Sequence, residues 1–221
     1  MYNHGITITD DGRFEINGYP DGVYVAAIPE KHAKKLGHLA LHHQDLIFAS
    51  ECLDRLNRIE DLPEVWIVRQ SLFSSAVISF YKCFGYSKRR SSLQRDDIYK
   101  EDLQKEIFEY YKDLRDKKIT HDENDWTQSC AMAVVNRAGV TPTVPAVHSV
   151  WMGADMITEG AWNNMSSLTR DALAWVTEQY DSESDRVRDL VDGWSHESLL
   201  ALPAPLLRKP GPDSVGRNRP T

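Results

Sequence analysis

Apolar residues recur every three, four or seven positions along most of this chain, which is the spacing of one face of an α-helix. Four stretches of this kind follow one another with short connections between them. Amphipathic helices joined in this way are typical of a helix bundle. The predicted helices cover about 36–57, 61–84, 98–115 and 121–138.

Local signals support the ends of these helices. The pattern turns helical from Glu30, although Gly37 is a possible break. Pro63 and the acidic residues around it are typical of a first helical turn. Thr120 and Glu123 have the spacing of a capping box, which would open the fourth helix.

The N-terminal segment has a strand pattern instead. Ile6 to Thr9 and Phe14 to Ile16 are rich in β-branched and aromatic residues and flank Asp10-Asp11-Gly12, so we predict a β-hairpin. Tyr24 to Ile28 is a candidate third strand. An arm this small is not stable alone, so we expect it to pack on the helices.

The C-terminal part continues the helical pattern after an extended connection. Pro142 and Pro145 make the stretch from Thr141 to Val147 extended, and we expect it to return to the N-terminal strands. A last helix or helix pair spans about 161–200, with breaks expected near Asp181 and Gly193. Trp162, Trp175 and Trp194 on its apolar side indicate core or a dimer seam.

These patterns define a mainly α fold: a bundle of four to five helices with a small N-terminal β-hairpin arm and a C-terminal helical extension. The sequence predicts three regions, 1–35 as the arm, 36–202 as the helical domain, and 203–221 as a flexible tail rich in proline and glycine.

Composition excludes several classes of protein. A net charge of −7 disfavours indiscriminate binding of polyanions, so any contact with RNA must be local. No stretch has the roughly 20 apolar residues of a membrane span, and we expect a cytoplasmic protein without membrane contact. The cysteines are expected to be small buried side chains. They are Cys52, Cys83 and Cys130.

The junction between the third and fourth predicted helices has the residues for phosphate chemistry. Arg115 falls in the last turn of one helix, and His121 in the first turn of the next. The N-terminus of a helix bears partial positive charge, and an arginine binds phosphate oxygens through two N–H groups. The junction therefore predicts a site for a phosphate group, with an imidazole beside it.

The stretch from Arg115 to His121 resembles the Arg-x4-6-His signature of the HEPN superfamily, whose helical bundles include RNA-cleaving toxins and phage-defence effectors. A Trp-containing helix that ends in Phe80 to Gly85 and a basic loop precedes it, as in HEPN proteins of the abortive-infection type. The resemblance covers about Leu39 to Gly139. Glu123 departs from it, since some toxins have tyrosine at this position.

The resemblance implies metal-independent RNA cleavage by attack of a ribose 2′-hydroxyl on the adjacent phosphate, without a cofactor. His121 would be the general acid or base and Arg115 would stabilise charge on the phosphoryl oxygens. It also implies a homodimer as the working unit, with an antitoxin or defence protein as a possible partner. Whether the chain is an active enzyme stays open at this point.

Other residues are assigned by position. Asp116 would orient Arg115 or His121, and Asn124 would contact substrate or cap the turn. A set of basic residues would follow the RNA backbone. They are Lys88, Arg89, Arg90, Lys117 and Lys118.

Three alternatives remain beside the enzyme. The chain could be a catalytically inactive HEPN-like protein that dimerises and binds a nucleotide or protein partner, or a purely structural scaffold. Arg115 could also only cap the carbonyls at the end of its helix, and His121 could only begin the next helix. No metal site is predicted, because His38, His42 and His43 lack a carboxylate at matching spacing, and we expect surface or interface histidines.

Overall fold

The computed structural model describes residues 24–60, 62–121, 125–154, 159–205 and 211–212, together with the backbone of 6–8 and 14–16. The fold is mainly helical. The helices are α1 Glu30–Leu56, α2 Trp66–Lys82, α3 Arg95–Ile98, α4 Asp102–Leu114, α5 Glu159–Asp192 and α6 His196–Leu200. The strands are β1 Ile6–Ile8, β2 Phe14–Ile16, β3 Thr127–Val134 and β4 Ala146–Gly153.

Most of the predicted helices are confirmed, with shifted ends. Helix α1 passes Gly37 without a break, and a short 3-10 turn at Pro63–Val65 precedes α2. Helix α4 begins at Asp102 because Glu101 and Gln104 form a capping box there. Helix α5 is continuous, so the break expected near Asp181 is wrong, while its end at Asp192 agrees with the break expected near Gly193.

The prediction of a fourth helix at 121–138 is wrong, because the central residues of this range, Thr127–Val134, form β3. Its apolar residues fit a helical spacing, yet a short apolar run is ambiguous between helix and strand. Pairing with β4 decides the outcome: the strands are antiparallel, with Thr127 opposite Gly153 and Val134 opposite Ala146. The extended stretch after Thr141 therefore pairs with β3 and not with the N-terminal strands.

The N-terminal prediction is confirmed for two strands. Strands β1 and β2 are antiparallel, with Ile6 opposite Ile16, while the turn at 10–12 lies outside the described residues. Tyr24 to Ile28 is not a strand. The backbone N–H of Ala27 donates to the carbonyl of Pro203 at 2.8 Å, and the Tyr24 hydroxyl donates to the Leu202 carbonyl at 2.6 Å. These two hydrogen bonds hold the segment from Tyr24 to Ile28 in place, although it is not part of a sheet.

The chain forms two compact units. Unit 1 comprises Met1–Gln44, Tyr86–Ser92 and Leu173–Thr221, and unit 2 comprises Asp45–Gly85 and Leu93–Ala172. The region boundaries predicted near 35 and 202 stay predictions.

An aromatic cluster is the centre of unit 2. The Tyr81 and Phe108 rings lie 5.0 Å apart, and Phe84 lies 4.9 Å from Phe108. Phe80 and Tyr99 complete the cluster and are fully buried. Each buried tyrosine hydroxyl needs an acceptor, and the Tyr99 hydroxyl donates to the Leu168 carbonyl of α5 at 2.7 Å. This bond and the ring contacts fix α2, α4 and α5 relative to one another.

Histidines of α1 hold the basic connection of unit 1. The Ser91 backbone N–H donates to His38 Nδ1 at 3.2 Å, and His42 Nε2 donates to the Ser91 carbonyl at 2.8 Å. His42 and His43 are 1% and 4% exposed, so the expectation of surface histidines is wrong for both. Burial lowers the pKa of His43. Packing of α1 within this unit, which a single sequence does not reveal, accounts for the difference.

The cysteine prediction is partly wrong. Cys52 and Cys83 are buried, whereas Cys130 is exposed. Cys130 was expected inside a packed helix, but it lies on the ribbon of β3 and β4, where both faces meet solvent.

Within the described parts of the chain, no helix is long and apolar enough to cross a membrane.

Glu183 of α5 makes a shielded ion pair within the described part of unit 1. Its carboxylate is 6% exposed, accepts hydrogen bonds from Arg186 at 2.6 and 3.1 Å, and lies 3.8 Å from Lys35 of α1. The bonds from Arg186 hold the pKa of this carboxyl below its ordinary value. Glu183 therefore stabilises the fold above pH 4.5, its ordinary pKa, and this contribution is lost as pH falls through the lower folded pKa.

We expect Glu183→Gln to lower the free energy of unfolding by about 1 to 3 kcal/mol at pH 7, because a shielded charge pair is lost. The difference from wild type should shrink below pH 4.5. Urea denaturation at pH 7 and pH 3.5 measures both. The matched control is Asp185→Asn on the same helix, whose 62% exposed carboxylate pairs with Arg188, and we expect less than about 1 kcal/mol there. Equal losses in both variants would contradict the assignment.

Candidate functional site

The junction after α4 is a π-helical segment. Helix α4 continues directly into six π-helical residues, Arg115–Thr120, and His121 then leaves in an extended conformation with φ −128° and ψ 163°. His121 thus follows the end of a helical segment and is itself extended, so its predicted place in a first helical turn is wrong. Residues 122–124 lie outside the described part of the chain. Single π-helical turns are often found at functional sites.

Arg115 is fixed in place at the start of this segment. Its Nε donates to Asp116 Oδ1 at 2.6 Å, and its Nη2 lies 2.5 Å from the same oxygen. The guanidinium carbon lies 5.1 Å from the centre of the Tyr81 ring, within range of a cation–π interaction. The side chain is 24% exposed. Arg115 is therefore oriented from two sides while part of it meets solvent.

Tyr81 is a rigid platform for that cation. Its hydroxyl donates to the Phe108 carbonyl of α4, and its ring is buried in the aromatic cluster. Burial raises the pKa of Tyr81 above its ordinary value, although the positive charge of Arg115 acts in the opposite direction. The phenol is therefore neutral at physiological pH. It serves as a ring face and a hydrogen-bond donor.

The lysines of the segment have different roles. Lys118 Nζ donates to Thr127 Oγ1, which ties the π-helical segment to the start of β3. Lys117 forms an ion pair with Asp113 one turn earlier, at 3.2 Å, and half of its side chain is exposed. Lys117 is thus the more accessible of the two cations.

The structure brings some of the predicted site residues together. Asp116 is bonded to Arg115, one of the two placements that the sequence left open. His121 is exposed at the other end of the same segment. Within the described residues, no hydrogen bond or ion pair joins Arg115 and His121. Asn124 lies outside the part of the chain that the structure describes.

The second predicted basic stretch belongs to unit 1 and is therefore described separately. Lys88 and Arg89 are exposed, and Arg90 is half-buried. Ser91, which follows them, is held by His38 and His42. The connection therefore presents two accessible cations from an anchored loop.

Sequence analysis missed an apolar groove of about 440 Å³ between α1 and α2 in unit 2. Ile67 and Val68 line it and are 69% and 48% exposed. Neither residue belongs to the apolar residues at helical spacing, between Val65 and Phe84, that predict this helix. Apolar residues outside that set were the available signal. Burial raises the pKa of the Cys52 thiol at its wall, which disfavours a reactive thiolate.

A metal site is not visible in the described ranges, because no three His, Cys, Asp or Glu side chains group there as metal ligands would.

No family model matches the chain, and no curated protein or solved structure matches it. The HEPN resemblance stays an expectation from the stretch between Arg115 and His121.

The two central residues should differ in their effect on stability. We expect Arg115→Ala to lower the free energy of unfolding by about 1 kcal/mol, because it removes a half-buried side chain from the Tyr81 ring. His121→Ala should change it by less than about 0.5 kcal/mol, since His121 is exposed. Urea denaturation of both variants tests this. An equal loss of unfolding free energy in the two variants would contradict the difference in burial between Arg115 and His121.

Proposed function

We propose that the chain is a metal-independent endoribonuclease of HEPN type that acts at residues 115–121. The proposal includes the HEPN-like arrangement of the helices, a homodimer in the cytoplasm, and a role as a toxin or phage-defence protein with a possible antitoxin or defence partner. One observation carries it: Arg115 is held by Asp116 and Tyr81, and its side chain is 24% exposed. An exposed histidine ends the same segment.

The proposed reaction uses His121, Arg115, the RNA and water. His121 takes the proton of the 2′-hydroxyl as its oxygen bonds to phosphorus. The bond from phosphorus to the 5′-oxygen breaks, that oxygen takes a proton from water, and His121 returns its proton to the solvent. The products are a 2′,3′-cyclic phosphate and a 5′-hydroxyl end. A general base or acid of this kind contributes roughly 10²- to 10⁴-fold in rate.

Arg115 would act on the charge that develops at phosphorus. A cation that is already oriented needs little rearrangement in the transition state, so its electrostatic effect is larger than that of a mobile side chain. Asp116 is then a positioning residue, since it contacts Arg115 and not the RNA. Lys117 would bind the backbone on either side.

A second candidate is binding without cleavage, by a catalytically inactive HEPN-like protein that dimerises and binds a nucleotide or protein partner. The observation that favours it is the position of His121, which follows the end of a helical segment in an extended conformation. The ion pair between Arg115 and Asp116 also offsets part of the positive charge. Cleavage assays separate the two candidates.

We expect the purified chain to cleave single-stranded RNA in a buffer with EDTA and to leave 2′,3′-cyclic phosphate ends. His121→Ala should lower the cleavage rate by at least about 100-fold. Arg115→Met, which keeps an apolar side chain against Tyr81, should lower it comparably with little loss of stability. Gel assays and end-group analysis measure the outcome.

The matched control is His196→Ala, which removes an exposed histidine of α6 and should leave the rate unchanged. If wild type leaves RNA intact under these conditions, the ribonuclease is rejected. Retention of a mononucleotide in a binding assay without cleavage then supports the second candidate.

Lys88 and Arg89 should contribute to RNA affinity through phosphate contacts. For single strands the slope of log affinity against log salt is about −0.7 per contact, so Lys88→Gln with Arg89→Gln should flatten it by about 1.4. Fluorescence anisotropy with a labelled oligonucleotide, at salt concentrations of about 50 to 300 mM, measures this slope. Lys31→Gln with Arg188→Gln removes the same charge elsewhere and should leave the slope unchanged. Equal slopes in all three proteins exclude these contacts.

A further inference from the structure

The ribbon of β3 and β4 is more exposed than its composition leads one to expect. Both strands have eight residues, and only Thr127 and Ala146 at one end of each are half-buried. The other residues of both strands are exposed, although many are apolar. An isolated two-stranded ribbon is only marginally stable in water. The apolar side chains of the ribbon are therefore not buried by the described part of the chain.

The two faces of the ribbon differ in chemistry. Successive residues of a strand point to opposite faces, and residues opposite each other on paired strands share a face. One face, here named the methionine face, carries five apolar residues. They are Cys130, Met132, Val134, Val150 and Met152. Gln128, Ala146 and His148 complete it.

The opposite face is smaller and more polar. Trp151 is its one large residue, and its ring lies close to Gly153, where an added Cβ would meet it at 3.5 Å. The neighbours of Trp151 on this face include two serines. The face consists of Thr127, Ser129, Ala131, Ala133, Val147, Ser149, Trp151 and Gly153.

The large apolar side chains of the methionine face lie in solvent. Met152 is 67% exposed, Met132 is 47% exposed, and Val134 and Val150 are each 46% exposed. Contiguous exposed apolar surface of this kind marks interaction sites. Methionine side chains are flexible and adapt to an apolar partner.

We propose that the methionine face packs against the methionine face of a second copy of this chain and forms a two-fold symmetric dimer. The inference names a contact surface for the homodimer that the proposed function includes. It is argued from the ribbon and not from the proposed ribonuclease activity, which the cleavage assay tests separately. An isologous contact needs a surface that is complementary to itself, and a mainly apolar face without Lys, Arg, Asp or Glu meets this requirement.

Charge favours a second copy as the occupant. Strands β3 and β4 contain no Lys, Arg, Asp or Glu, whereas the whole chain has a net charge of −7. Two copies repel one another through their net charge, and the repulsion is smallest where the contact itself is uncharged. An anionic lipid surface is disfavoured, because the strands offer no lysine or arginine to phosphate headgroups.

The size of the face sets the expected strength. Five side chains of this size bury on the order of 400 Å² per copy, or about 800 Å² in total, which is below standard specific interfaces and typical of weak, transient contacts. We therefore expect a reversible dimer with a dissociation constant in the micromolar range.

Sedimentation equilibrium of the full chain tests the proposal, with loading concentrations on the order of 1 to 200 μM around the expected dissociation constant. Wild type should approach twice the chain mass of 25.2 kDa. Val150→Glu places a charge in the contact and should raise the dissociation constant at least about 100-fold. Since Val150 is exposed in the single chain, we expect the variant to stay folded, and circular dichroism checks this.

The matched control is Ser149→Glu, the adjacent residue of β4. It is also exposed and adds the same charge, but it lies on the opposite face, so the dissociation constant should change by less than about threefold. A monomeric wild type at all concentrations overturns the proposal. So does a Ser149→Glu variant that dissociates as Val150→Glu does.

Cys130 provides a second measurement on the methionine face. Because Cys52 and Cys83 are buried, a thiol reagent applied to the folded chain reports on Cys130. The dimer should protect this thiol at least about tenfold relative to Val150→Glu at the same concentration, as burial of a thiol slows its reaction. Equal rates in a dimeric wild type and the variant would show that a different surface forms the dimer.

Discussion

The hydrogen bonds of three buried tyrosine hydroxyls are the constraint on which unit 2 depends. Tyr81 donates to the Phe108 carbonyl, Tyr99 to the Leu168 carbonyl and Tyr111 to the Ala161 carbonyl. A buried hydroxyl without an acceptor costs free energy, so each bond selects one position of a helix along its neighbour. Burial also raises the pKa of all three phenols, which therefore remain neutral donors.

The candidate site takes its position from this core. Arg115 stacks on a ring that cannot move without breaking the contact between α2 and α4. Asp116 fixes the guanidinium from the other side. The same ion pair has two consequences for function: it orients the cation for a phosphate, and it offsets part of the charge that would bind one. The first consequence favours a ribonuclease, and the second favours a protein that binds without cleavage.

The ribbon of β3 and β4 differs from this core, because its side chains are exposed and contribute little to the core of the single chain. Its residues look like those of a buried segment, and this likeness led to the prediction of a packed helix and a buried Cys130. An apolar methionine face next to a serine-containing face is consistent with burial on one side only, and a second copy would supply that cover.

The sequence by itself determined the helices α1, α2, α4 and α5, since a helix is closed by local hydrogen bonds and its buried stripe is visible within a few turns. It also placed Arg115 and Asp116 side by side, because they are neighbours in the chain. Only the tertiary structure decided that residues 127–134 form a strand, since β3 needs a partner that lies 12 or more residues away. The stacking of Arg115 on Tyr81 and the burial of His42 were likewise decided by packing between distant residues, which no local pattern encodes.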